Sequence, residues 1–150
     1  FKLKDEYLIF LTSPNSDPGN KLIVNEINKL RKNNNCYYIS NLGAKIYHSV
    51  LRISDLLIGN SSSGLLEAPL LNVPTINLGN RQSGRLLEDT VYNCKFHEKE
   101  ILKTITRVIK RGKVKNKIKF HKNKKASEKI SSLISKIDLE KIKIKKFYDV

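Results

Sequence analysis

Two rhythms of apolar residues alternate along the chain: short continuous runs, and longer stretches in which apolar positions recur every three or four residues. Tyr7-Leu-Ile-Phe-Leu-Thr12 is a short apolar run ended by Ser13-Pro14-Asn15. Its length and aromatic content predict a buried strand rather than a helix. Asp17-Pro18-Gly19-Asn20 is turn chemistry that opens a helix, in which Leu22, Ile23, Ile27 and Leu30 recur at near-helical spacing to about Arg31, before Asn33-Asn34-Asn35 breaks the pattern. Cys36-Tyr-Tyr-Ile-Ser40 reads as the next strand. After a break at Leu42-Gly43, the residues Ile46, Tyr47, Val50, Leu51 and Ile53 trace one helical face, and Asp55-Leu-Leu-Ile58 returns to a strand.

Gly59-Asn60-Ser61-Ser62-Ser63-Gly64 is a small polar turn. Leu65 to Ala68 continues as a short helix that Pro69 limits, and Pro74-Thr-Ile-Asn-Leu78 is a fourth strand followed by a loop from Gly79 to Gly84. Ile101, Ile105, Val108 and Ile109 mark a further helix, and the segment from about Ala126 to Ile137 is amphipathic. Strands and helices in this order predict an α/β fold, a Rossmann-like parallel sheet with right-handed crossovers and helices on both faces. No internal repeat is visible.

Composition adds bounds. The 150 residues, 17.2 kDa and 39% apolar content suit one domain with a core. No apolar run approaches the roughly 18 residues of a membrane span. The sequence holds no Met, and its opening Phe-Lys-Leu-Lys lacks the apolar core of a signal peptide, so the expectation is a chain truncated at its N-terminus. Cys36 and Cys94 alone make no disulfide framework and are expected as reduced thiols in a cytoplasm.

The net charge of +15 is unevenly spread. Residues 1–102 carry 12 basic and 10 acidic side chains, whereas residues 103–150 carry 17 and 4. The surplus belongs to a basic, helical tail from about 113 to 150, with Lys113 to Lys125 as a linker. Only six of the 29 basic residues are Arg, and nucleic-acid readers lean on Arg forks and exposed aromatics. A solvated helix face is therefore preferred to a nucleic-acid or other polyanion site.

In an open parallel sheet the ligand crevice lies beyond the carboxyl ends of the strands. There the turn from Gly59 to Gly64 sets three hydroxyls and two glycines where a strand hands over to a helix, an arrangement that suits phosphate because free backbone N–H groups and the positive dipole end gather there. The plainer alternative is that Ser61 or Ser62 only caps the helix. Ser63 and Glu67 lack capping-box spacing, so Glu67 projects elsewhere, and a carboxylate beside a nucleotide can accept hydrogen bonds from ribose hydroxyls. Asn80-Arg81-Gln82-Ser83-Gly84-Arg85 adds two guanidiniums that could hold phosphate oxygens, or could form weak surface ion pairs. His48, His97 and His121 are scattered without metal or triad spacing, which points to structural or surface roles and to no metal. The Asn60-Ser61-Ser62 sequon is expected to be silent.

Ile58-Gly-Asn-Ser-Ser-Ser-Gly64 through Glu67-Ala-Pro69, Pro74 to Gly79 and Arg81-Gln-Ser-Gly-Arg85 together resemble the C-terminal half of UDP-N-acetylglucosamine 2-epimerases, most closely the hydrolysing branch of sialic and legionaminic acid synthesis. Ser13 to Gly19, Leu42-Gly43 and Lys146-Phe-Tyr-Asp149 are similar to the same family. The resemblance implies the second Rossmann-like domain of a GT-B enzyme. Ser61 and Ser62 would meet the diphosphate, Glu67 the ribose, Leu42 the uracil through its backbone, and Arg81 the phosphate side of the cleft, with Asn15 lining the same pocket. The reaction implied is elimination of UDP across C1–C2, then addition of water with inversion at C2. The carboxylates and the histidine for those proton transfers are expected in a missing N-terminal part, so no catalytic residue is assigned here and the isolated fragment is expected to be inactive. The implied partners are a UDP-sugar, the chain's own N-terminal domain and a second copy in a homodimer, without cofactor or membrane. Both N-acetylglucosamine and its diacetylbacillosamine relative remain open as the sugar. A GT-B glycosyltransferase domain and a non-enzymatic basic module are the alternatives.

Overall fold

The computed structural model describes residues 7–115 and 125–138. Four strands and three α-helices follow the predicted order, with one unpredicted 3-10 turn among them: β1 (Ile9–Thr12), α1 (Asn20–Leu30), β2 (Cys36–Ile39), α2 (Gly43–Ile53), β3 (Leu57–Gly59), α3 (Ser63–Leu66), the 3-10 turn (Pro69–Leu71) and β4 (Thr75–Leu78). After them come β5 (Val91–Cys94), α4 (Glu98–Arg111) and α5 (Ala126–Ile134). Among the described residues every strand pairing is parallel; α1 crosses from β1 to β2 and α3 from β3 to β4, whereas β4 reaches β5 through a loop without a helix.

The ladder runs in two blocks. β1 pairs with β2, opposing Phe10 to Tyr37, and β3-β4-β5 forms a three-stranded sheet in which Ile76 opposes both Ile58 and Tyr92. β5 has no counterpart in the sequence reading. Its four residues include a polar Asn93 and carry too short a pattern to separate from the loop before it.

The three-stranded block holds most of the core. On one face Ile76, Cys94, Ile105 and Val108 interlock, with Leu78 and Tyr92 alongside, so that the apolar stripe of α4 lies on β4 and β5. Glu98 and Glu100 in the first turn of α4, and Lys110 and Arg111 in its last, complement the helix dipole. On the other face Leu51, Ala68 and Val73 pack with Tyr47, Leu57 and Leu71, seating α2 and α3. Gly64 makes that seat possible, because a Cβ there would stand 2.6 Å from Thr75 Cγ2. The expectation of helices on both faces holds for this block. In the β1–β2 block, Phe10, Tyr37 and Ile39 share one face and are exposed, with Phe10 and Tyr37 stacked 5.7 Å apart.

The predicted tail helix is present as α5, with Ile130, Leu133 and Ile134 exposed. Most of the predicted Lys113–Lys125 linker, His121 and the Lys146–Asp149 motif lie outside the described residues. Lys113 itself donates to the Arg52 carbonyl at the end of α2, 3.1 Å away. Among the described residues no helix is long and apolar enough to cross a membrane.

Candidate functional site

The carboxyl ends of β1 to β4 open onto the same edge of the molecule, and the loops that leave them carry the predicted residues. A cleft of about 300 Å³ lies at the ends of β1 and β2, lined by Thr12, Ser40, Asn41, Leu42, Gly43 and Tyr47 among others. Its floor is built locally. The Asn41 side chain accepts the Gly43 backbone N–H at 2.8 Å, an Asx turn that sets Leu42, one of the cleft-lining residues, directly before α2.

The serine turn follows β3. Ser61 Oγ accepts the Ser63 N–H at 3.3 Å, while Ser62, the residue preceding α3, makes no side-chain cap. The capping alternative therefore applies to Ser61 alone. The helix that follows is only four residues long, so its dipole is much smaller than the sequence reading assumed, and any anion affinity of the turn comes from its N–H and hydroxyl groups.

Glu67 ends α3 and turns back toward α2. His48 Nε2 stands 3.3 Å from its Oε1, and the Tyr47 hydroxyl bonds Ser63 Oγ. The Ser63 hydroxyl, and more weakly His48, hold the Glu67 carboxyl below its ordinary range against the opposing pull of burial. His48 thus sits on the rim of the site, where the sequence reading had set it away from the strand ends. Helical spacing places residues on α2 but does not tell which side of α2 faces α3. His97 precedes α4, exposed and without a side-chain cap.

The loop after β4 reaches across to the other two. Gln82 Nε2 donates to the Asn60 carbonyl at 2.7 Å, and Arg81 Nη1 reaches the same oxygen at 3.4 Å. Arg81 Nη2 stands 3.6 Å from Asp17 Oδ2 in the loop after β1. Arg81 is thereby brought to the residue that precedes the serines of the turn. Asn15, two residues from Asp17, is exposed on that same β1 loop. Gln82 and Asp17 went unassigned in the sequence reading, and the unbroken run Asn80 to Arg85 was the only signal that pointed at Gln82. Among the described residues no group of three His, Cys, Asp or Glu could hold a metal ion.

A Rossmann-like α/β domain with polar loops gathered at its strand ends is a nucleotide-binding architecture. Residues 2–135 match the family model of UDP-N-acetylglucosamine 2-epimerase, and the chain belongs to that family. It is 40% identical over 99 residues to a Campylobacter jejuni GDP/UDP-N,N'-diacetylbacillosamine 2-epimerase (hydrolyzing), covering 64% of this chain and 25% of that one. It is 31% identical to a Neisseria meningitidis UDP-N-acetylglucosamine 2-epimerase over 67% of this chain and 26% of that one. With a Legionella pneumophila UDP-N,N'-diacetylbacillosamine 2-epimerase (hydrolyzing) the identity is 30%, over 87% of this chain and 34% of the relative. The chain thus spans about a quarter to a third of the length of these curated relatives.

Proposed function

We propose that this chain is the UDP-binding half of a hydrolysing 2-epimerase acting on a UDP-linked 2-acetamido sugar. The observation that carries the reading is the convergence of the β4 loop on the serine turn, with Arg81 and Gln82 both meeting the Asn60 carbonyl beside the Leu42 cleft. In this reading the uracil sits at the backbone of Leu42, Glu67 accepts from the ribose hydroxyls, Ser61 and Ser62 donate to the diphosphate, and Arg81 lies against its outer oxygens, with Asn15 along the same pocket.

Negative charge builds on the diphosphate as the C1–O bond breaks, and preorganised donors aimed at it lower that barrier. Proton removal at C2 and delivery of water then fall to groups of a preceding domain, which accords with the fraction of the relatives' length that this chain covers. The names of the relatives support both N-acetylglucosamine and diacetylbacillosamine as the sugar class, and the reading carries with it a cytoplasmic location.

Calorimetric titration with UDP tests the site. Saturable binding that weakens in both Glu67→Ala and Arg81→Ala supports it, and wild-type protein that gives no heat with UDP overturns it. Release of UDP and a free 2-acetamido sugar by the full-length protein, without any acceptor, separates hydrolysis from glycosyl transfer.

A further inference from the structure

Gln82 is nine-tenths buried at 4% exposure, yet it sits in the polar loop after β4 rather than in either core cluster. Its two amide arms are treated differently. Nε2 donates to the Asn60 carbonyl across a 2.7 Å hydrogen bond between loops 22 residues apart, whereas the buried Oε1 has no partner among the described residues. Burying a bare amide oxygen opposes folding, so an apolar side chain of similar shape would suit this position better if packing were all that it required. The neighbouring Arg81 cannot substitute for the Nε2 bond. Its own reach to Asn60 is 3.4 Å and its reach to Asp17 is 3.6 Å, so the guanidinium is loosely held.

We propose that Gln82 is a positioning residue for the UDP site: it clamps the Asn60 carbonyl and thereby fixes the Asn60–Ser61 peptide where the serine turn begins, and it leaves Arg81 free to meet the diphosphate. The inference rests on the reading of this turn as a diphosphate cradle and adds to it the residue that sets its shape. Asn60 directly precedes Ser61, and the first backbone bonds of the turn, Gly64 N–H to Ser61 O and Leu65 N–H to Ser62 O, start just beyond it. Rotation of the Asn60–Ser61 peptide would turn the Ser61 N–H, the donor that shares its plane with the clamped carbonyl.

Gln82→Met tests the clamp, because methionine keeps the volume while removing both the donor and the bare oxygen. The expected result is a melting temperature equal to or above that of wild type, UDP binding weaker by about tenfold, and faster amide hydrogen exchange over residues 60–65 in the unliganded protein. A conserved melting temperature with UDP affinity within twofold of wild type overturns the proposal. So does an affinity loss accompanied by a large drop in melting temperature, which marks Gln82 as a packing residue. If wild-type protein fails to bind UDP, the cradle reading falls on that ground, and hydrogen exchange still decides whether Gln82 holds the turn: unchanged exchange in Gln82→Met overturns the clamp itself.

Discussion

His48 Nε2 stands 3.3 Å from Glu67 Oε1, joining the middle of α2 to the end of α3 at the rim of the site. With Tyr47 on Ser63 one residue earlier along α2, this pair fixes the carboxylate that is assigned to the ribose. The two helices are thus tied by polar contacts directly above the Leu51, Ala68 and Val73 packing that seats them.

A carboxyl held below its ordinary value of 4.5 in the folded protein stabilises the fold above that value. The contribution disappears as pH falls through the lowered folded value. Because the Ser63 hydroxyl is the larger influence, Ser63→Ala is expected to move the Glu67 titration upward further than His48→Ala does, as followed by NMR of the side-chain carboxyl. Both partners of the His48–Glu67 pair are more than a third exposed, so His48→Ala is expected to cost less than about 1 kcal/mol of stability. A larger upward movement in His48→Ala than in Ser63→Ala would reverse this ranking.

Elements with a long or clean pattern were legible before the structure. The Leu22 to Leu30 spacing became α1, the Ile101 to Ile109 spacing became α4, and strands formed around Ile9, Tyr37, Leu57 and Ile76, although β1, expected to be buried, is half-exposed with Phe10 on its open face. The polar loops at the strand ends were legible because their composition departs from the rest, whereas Asn15 and Leu42 were singled out only by the family resemblance. What was lost was geometry across elements. The Glu67–His48 and Gln82–Asn60 contacts span 19 and 22 residues, and periodicity carries no information on which helix faces meet. The short α3 before Pro69 was legible, but its bounds were not: it runs over Ser63–Leu66 rather than on to Ala68.

Gly64→Ala sets two known effects against each other. Alanine in place of glycine favours a helix by about 1 kcal/mol. The new Cβ, however, would lie 2.6 Å from Thr75 Cγ2, on a fully buried β4 side chain with no room to move. Overpacking of this kind costs about 1–3 kcal/mol, so net destabilisation is expected in chemical denaturation, together with weaker UDP binding as α3 lifts the serine turn. A variant as stable as wild type would show that β4 yields.

The thiols offer a probe of the α4 face. Burial raises the Cys94 thiol above its ordinary value, outweighing the Thr104 hydrogen bond that favours the thiolate. A group raised in the folded state leaves stability intact below its unfolded value and withdraws it as pH climbs past the folded one. Cys94 is therefore expected to resist alkylation in the native protein at neutral pH and to react on unfolding. Rapid native labelling would mean that α4 opens from β5.

Arg81 meets an acidic neighbour, Asp17, that is not part of the assigned ligand set, and the two make opposite predictions. The Asp17 carboxylate, on the loop after β1, stands 3.6 Å from the Arg81 guanidinium on the loop after β4, both side chains being exposed, close enough to compete with a diphosphate for the same donor. Arg81→Ala removes a charged hydrogen-bonding group worth about 1.5–3 kcal/mol, which corresponds to UDP binding weakened by about ten- to a hundredfold. Asp17→Asn removes the competitor and its repulsion of the ligand, an exposed interaction worth less than about 1 kcal/mol, so UDP is expected to bind up to about fivefold more tightly. The gain should shrink as salt is raised, because exposed charges are screened within about 10 Å at 0.1 M ionic strength. Titration of UDP into both variants at low and high salt reads the two effects separately. Weaker binding in Asp17→Asn would mean instead that the carboxylate holds Arg81 in place for the ligand.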